Sequence, residues 1–233
     1  MAGSKKLLIF DCDGVLVDSE VISIRVEVEE LNRLGCEVSA QEYLDASLGR
    51  HEEDRIFKAL ADAHGVTLPA DFLARTRAKL DECFARELRP IEGVEESLRL
   101  LPFPKCVASS SRLERLKQVL SMTGLDRYFN GNIFSASQVA RGKPHPDLFL
   151  KAAQDMNTDP KDCLVIEDSP VGIQASLAAG MQAIGFTGGG HCNAALAEKL
   201  RRAGCRNLFS DMRDLPKFCH GLHGGPSKIG INP

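Results

Sequence analysis

The sequence predicts an α/β fold, a doubly wound parallel sheet with a small α-helical block inserted after its first strand. Short apolar runs recur along the chain, and most end abruptly in polar or acidic residues. Helical stretches alternate with those runs from about Pro90 to Leu215. Between about Asp18 and Leu88 that rhythm breaks, and the apolar residues fall mainly at helical spacing. Strand–helix alternation with right-handed crossovers builds a Rossmann-like sheet.

Taken in order, Lys6 to Phe10 is an apolar run that stops at Asp11, and it reads as a parallel strand buried on both faces. In the block that follows, Ile22, Ile24, Val26 and Val28 alternate with period two, whereas Leu31, Leu34 and the stop at Gly35 suit a helix. A lone strand among helices would lack a pairing partner, which favours helix. Ile56, Phe57, Leu60 and Ala61 form one helical stripe ending at Gly65, and Phe72, Leu73, Thr76 and Leu80 form a second. Further strands are expected at Lys105–Ala108, Cys163–Ile166 and Met181–Phe186. Between them, Leu113, Leu116, Val119 and Leu120 share a helical face that stops at Gly124. Another helix opens with Ser169 as cap and Pro170 at its first position, and stops at Gly180. The expected organisation is a core of 1–16 and 89–219, a helical cap of 17–88, and a Gly- and Pro-rich tail of 220–233.

The 233 residues carry a formal net charge of -3, with 43% hydrophobic and 26% charged residues, the balance of a globular protein. That charge gives no reason to expect nucleic acid or an anionic membrane as partner, and no apolar run is long enough to span a bilayer. Eight cysteines are scattered without a Cys-x-x-Cys pair, so reduced thiols and a cytoplasmic location are expected.

The chemistry-bearing residues lie at strand ends. The first strand runs into Asp11-Cys12-Asp13-Gly14, which sets two carboxylates where ligands bind in this architecture. A helix-loop-helix calcium site also begins Asp-x-Asp, but it needs glycine sixth and glutamate twelfth, where Leu16 and Ile22 stand. The second strand ends in Ser109-Ser110-Ser111. Lys143 lies in Gly-Lys-Pro-His-Pro ahead of a helix, and Ile166 is followed by Glu167 and Asp168. Singly, each has an ordinary explanation: a helix cap, a solvated lysine, a helix entry. Together they place a nucleophile, a proton donor, a hydroxyl, a cation and metal ligands along one edge of one sheet.

This set resembles the haloacid dehalogenase superfamily, over Lys6 to about Gly185. It is closest to the branch of β-phosphoglucomutase and sugar-phosphate phosphatases, through Phe10 to Glu20, Lys143 to Asp147 and Glu167 to Ile173. The resemblance implies a phosphatase with Asp11 as nucleophile and Asp13 as acid and base. It also implies Ser109 and Lys143 on the phosphoryl group, and Mg²⁺ held by Asp11, the Asp13 carbonyl and Asp168, with Glu167 supporting the metal or Lys143. The dehalogenating members lack the second acid, so Asp13 argues against that activity. Ser110, Asp18 at the exit to the cap, and Arg50 and His51 in a cap loop are the candidate substrate contacts. The expected substrate is a small phosphorylated metabolite, and the expected state a monomer or small homo-oligomer.

Mutases of this branch carry a histidine where Ser23 aligns and an arginine where Glu52 aligns, so hydrolysis is favoured over phosphoryl transfer within a sugar. A phosphate-accepting signalling domain would place its aspartate on a later strand and lack the helical block. A non-catalytic sugar-phosphate-binding regulator differs from the enzyme only in turnover.

Overall fold

The computed structural model describes residues 7–47 and 53–220. In chain order, β1 (Leu7–Phe10) is followed by α1 (Ser19–Arg33), α2 (Ala40–Ser47), α3 (Glu53–Ala63) and α4 (Phe72–Glu87). Then come α5 (Val94–Leu100), β2 (Lys105–Ser109), α6 (Leu113–Met122), β3 (Ile133–Ser135), α7 (Asp147–Asp155) and β4 (Cys163–Glu167). The chain continues through α8 (Pro170–Ala178), β5 (Gln182–Phe186), α9 (Ala194–Arg202), β6 (Leu208–Phe209) and α10 (Leu215–His220).

The six strands form one parallel sheet in the order β3-β2-β1-β4-β5-β6. The expected doubly wound sheet is therefore present, with β1 at its centre. Successive side chains of a strand point to opposite faces, and each face has its own apolar layer. Leu8, Phe10, Val107, Leu164 and Ile166 pack with α5, α6 and α10. Leu7, Ile9, Cys106, Ala108 and Val165 pack with α7 and α8. Because every central strand is covered on both sides, the four residues of β1 are all fully buried.

Two strands escape the sequence reading. β3 has three residues and β6 two, too short for periodicity to register. The period-two run at Ile22–Val28 is helical, inside α1. Its apolar residues face two ways. Ile22 and Val26, one turn apart, join the sheet's core, while Ile24, Val28 and Leu31 join a separate cluster made by α1 to α4. A helix buried on two sides mimics alternation. That second cluster centres on Phe57, whose ring meets Phe72 edge-on at 5.2 Å.

The chain leaves the sheet and returns to it along two adjacent segments. Asp18 donates its N–H to the Arg89 carbonyl and Ile91 donates to Leu16, with Val17 bridging Pro90. The four helices between these segments are joined to the sheet through these two hinge segments and through the packing of Ile22, Val26, Leu80 and Phe84 in the sheet's core. Replacing Phe57 by alanine removes a fully buried aromatic from their core, and should cost about 3–5 kcal/mol. Urea unfolding followed by circular dichroism, suited to a chain without tryptophan, should show a lower midpoint.

Candidate active site

At the carboxyl ends of β1, β2 and β4 lie five of the expected residues, Asp11, Ser109, Lys143, Glu167 and Asp168. Asp11 follows β1, Ser109 closes β2 and Glu167 closes β4 with Asp168 next to it. Lys143 enters from the loop before α7. Its ammonium is buried, 3.2 Å from Asp11 Oδ1 and 2.5 Å from Glu167 Oε1, and 5.1 Å from the centre of the Phe149 ring. Glu167 is itself fixed. Its Oε2 accepts from the Ser169 N–H at 2.8 Å and from the Ser169 hydroxyl at 2.9 Å. Ser169 in turn caps α8 by accepting from the Gly172 N–H. A Cβ on Gly172 would fall 1.7 Å from Glu167 Oε1, so only glycine lets the carboxylate lie against that first turn.

Asp11, Glu167 and Asp168 each offer an oxygen within 4.8 Å of the others, all buried. Burial raises the Asp11 carboxyl well above its ordinary range; Lys143 opposes this, while Glu167, Asp168 and Asp13 add to it. Burial likewise raises Asp168, against the pull of His191. Asp11 Oδ1, though paired with Lys143 by charge, has no hydrogen bond. Hard oxygen donors that carry negative charge are what a hard divalent cation requires, and Asp11 and Asp168 fit one.

Asp13 lies in a different environment. Its Oδ1 accepts from the Ser19 hydroxyl at 2.6 Å and from Arg115 at 3.1 Å, and its Oδ2 from the Ser111 hydroxyl at 2.6 Å. Burial pushes this carboxyl up, but Arg115, then Ser111, Ser19 and Lys143, outweigh it and hold Asp13 below the usual range. Two acids two positions apart are thus driven in opposite directions by their surroundings.

Not every expected contact is placed. Ser109 is buried, and its Oγ accepts from the Ser111 N–H at 3.2 Å; Ser110 is half-buried beside it. Asp18 occupies the position before α1 but makes no side-chain cap. Its Oδ1 instead accepts from the Gly190 N–H at 3.0 Å, tying the hinge to the glycine loop after β5. Arg50 and His51 lie outside the described residues.

Four residues were not singled out from the sequence. Arg115 and Ser111 hold Asp13 as above. His191 Nε2 lies 3.2 Å from Asp168 Oδ2, and its ring lies close to Gly14, where an added Cβ would also fall 1.9 Å from Asp168 Oδ2. Burial disfavours a charged ring, but Asp168 and Cys192 prevail and push the imidazole up to about 11. Glu20, in the first turn of α1, is raised to about 7 by burial and by Asp13, with His191 opposing. Glu20 did fall inside a recognised run, Phe10 to Glu20, and His191 follows the glycines; Arg115 carries no local signal at all.

The family model for haloacid dehalogenase-like hydrolases matches residues 8–186, a span containing all of these strand-end residues. The chain belongs to this family. The 6-phosphogluconate phosphatase of Escherichia coli K12 is 32% identical over 210 residues, covering 90% of this chain and 92% of that one. Among solved structures, a conserved haloacid dehalogenase-like protein of unknown function from Agrobacterium tumefaciens is 36% identical. It has a TM-score of 0.86 and covers 95% of this chain and 100% of its own. A haloacid dehalogenase family hydrolase from Deinococcus radiodurans, with bound phosphate and sodium, is 32% identical with a TM-score of 0.77, covering 96% and 99%. The chain is thus a haloacid dehalogenase-like hydrolase with phosphatase relatives. Among its described residues, no helix is long and apolar enough to cross a membrane.

Glu20, whose carboxyl is raised by burial, contributes to stability in a way that falls as pH rises. Unfolded, its carboxyl releases a proton near 4.5, and folded near 7. Between those values the unfolded state holds fewer protons, so stability drops as pH rises and the loss is complete above about 7. In metal-free buffer, Glu20→Gln should therefore raise Tm by about 2–4 °C at pH 8 and leave it nearly unchanged at pH 4.5. Equal shifts at both pH values would contradict the placement of this side chain.

Proposed function

We propose that the protein is a Mg²⁺-dependent phosphatase acting on a small phosphorylated sugar or sugar acid through an aspartyl-phosphate on Asp11. The observation that carries this reading is the division of labour between two nearby acids. Asp11 is set against Lys143 and the metal-fitting carboxylates, while Asp13 is held by three hydrogen-bond donors.

An Asp11 carboxylate oxygen attacks phosphorus, and the bond to the leaving oxygen breaks with its electron pair staying on that oxygen. Asp13 gives the leaving oxygen a proton. The arriving phosphate, itself anionic, offsets the donors that keep Asp13 ionised and favours its protonated form. Asp13 then takes a proton from water as that water attacks the aspartyl-phosphate, which frees inorganic phosphate and Asp11. Lys143 neutralises charge on the phosphoryl oxygens, and the Ser109 hydroxyl donates to one of them. The carboxylates of Asp11 and Asp168 and the main-chain carbonyl of Asp13 would hold Mg²⁺, which when bound neutralises the phosphate and steadies the charge that builds during transfer. With both oxygens of Glu167 engaged by Lys143 and Ser169, its part is to hold Lys143.

The division into a core (1–16 and 89–219) and a cap (17–88) is part of this proposal, with the cap closing over the substrate. The relative that dephosphorylates 6-phosphogluconate supports the sugar-acid class. Eight free cysteines, seven of them buried, fit a reducing cytoplasm.

Phosphate release with Mg²⁺ across sugar phosphates, sugar-acid phosphates, glycerol phosphates and nucleotides tests the activity. One preferred class is expected, and conversion of β-glucose 1-phosphate to its 6-phosphate without release would replace hydrolysis by mutase chemistry. Asp11→Asn should lower turnover at least about 10³-fold while the protein stays folded. EDTA should abolish activity and added Mg²⁺ restore it, so chelator-resistant turnover would count against the metal site.

A further inference from the structure

Arg115 stands in the first turn of α6, four residues after Ser111 and outside the runs that carry the family resemblance. Its guanidinium donates to Asp13 Oδ1 at 3.1 Å and lies 5.0 Å from the centre of the Phe84 ring, on α4 of the helical block. The arginine side chain is 28% exposed and that of Asp13 13%. Oδ1 therefore carries two donors, Ser19 and Arg115, and one of them is charged. Oδ2 carries the Ser111 hydroxyl. All three bonds end on a carboxylate and are charge-assisted, but only Arg115 brings a full positive charge, and together with Ser19 it makes Oδ1 the more heavily held oxygen. It leaves Oδ2 with a lone-pair direction for a substrate oxygen or a water. Phe84 supports the cation on its face and so fixes the direction of approach from the helical side.

We propose that Arg115, supported by Phe84, is a positioning residue that orients Asp13 for proton transfer to the leaving oxygen. This rests on the phosphatase reading above. In the step concerned, the phosphorus–oxygen bond to the alcohol breaks, the electron pair stays on that oxygen, and the proton moves to it from Asp13. A sugar alkoxide needs that proton. A nitrophenolate, stable as an anion, does not. For a reaction through an aspartyl-phosphate, kcat/KM reports steps up to formation of that intermediate, so the later duty of Asp13 toward water does not enter it.

The test compares kcat/KM for the preferred sugar phosphate and for p-nitrophenyl phosphate, on the Mg²⁺-loaded full chain. Arg115→Met should lower the sugar ester about 10- to 100-fold and the nitrophenyl ester far less. Arg115→Lys should recover most of the loss, and Phe84→Leu should show a smaller loss of the same selectivity. Equal losses on both esters, or none on either, would overturn the proposal. If Arg115→Met does not fold, the ester selectivity of Phe84→Leu and Arg115→Lys decides the matter by the same criterion. Wild-type protein that releases phosphate from neither ester would remove the phosphatase reading itself, a result distinct from loss of selectivity in the variants.

Discussion

Lys143 carries its ammonium to the floor of the site at 4% exposure. An unpaired ammonium there would cost several kcal/mol. The cost is offset by Asp11 on one side, Glu167 on the other and the face of Phe149. Holding Glu167 in turn requires Ser169 at the head of α8 and a glycine at position 172. The lysine is thus fixed through a chain of contacts that ends in the backbone of a helix, and Asp11 is fixed against the lysine. Around this pair, the carboxylates of Asp11, Asp13, Glu167 and Asp168 face the cations Lys143, Arg115 and the protonated ring of His191. With every acid ionised, a phosphate dianion would meet a site still net negative. A divalent cation reverses that balance, which is the electrostatic reason a metal belongs beside Asp11.

The parallel sheet decides where this happens. Central strands covered on both faces must be apolar along their length, so polar groups can follow only where strands end. That is why the site was legible as a set of strand ends: apolar runs breaking into Asp11, Ser109 and Glu167-Asp168 signal both the sheet and its active edge. The helical block was legible through stripes such as Ile56, Phe57, Leu60 and Ala61, which face inward in α3. What sequence could not supply are contacts created by packing. Arg115 reaches Asp13 across 102 positions, and nothing in Leu-Glu-Arg-Leu distinguishes it from a solvated helix residue. His191 meets Asp168 because the loop after β5 folds over Gly14, and that path is set by tertiary structure alone. β3 and β6 were missed for a plainer reason, because a strand of two or three residues has no period.

The hinge explains why insertion after the first strand suits this chemistry. Residues 17 to 19 are both the exit to the helices and part of the site. Asp18 grips Gly190, one residue before the histidine that meets Asp168, and Ser19 donates to Asp13. A rotation of the helical block about this hinge would be felt at both carboxylates without a longer relay. Arg115 adds a third connection, since its cation contacts Phe84 of α4 and Asp13 of the core together.

Asp13 therefore takes its donors from three separate segments: the hinge, the loop after β2 and α6. A carboxylate held from one direction keeps its orientation when its neighbour moves. One held from three directions, two of them linked to the helical block, keeps it only while the hinge, the loop after β2 and α6 agree. In the mechanism proposed above, closure of the helices over a substrate and correct aim of the proton donor would become the same event. The acid would then be fully oriented only with the leaving group enclosed and water excluded, which would protect the proposed aspartyl-phosphate step from an unproductive proton transfer.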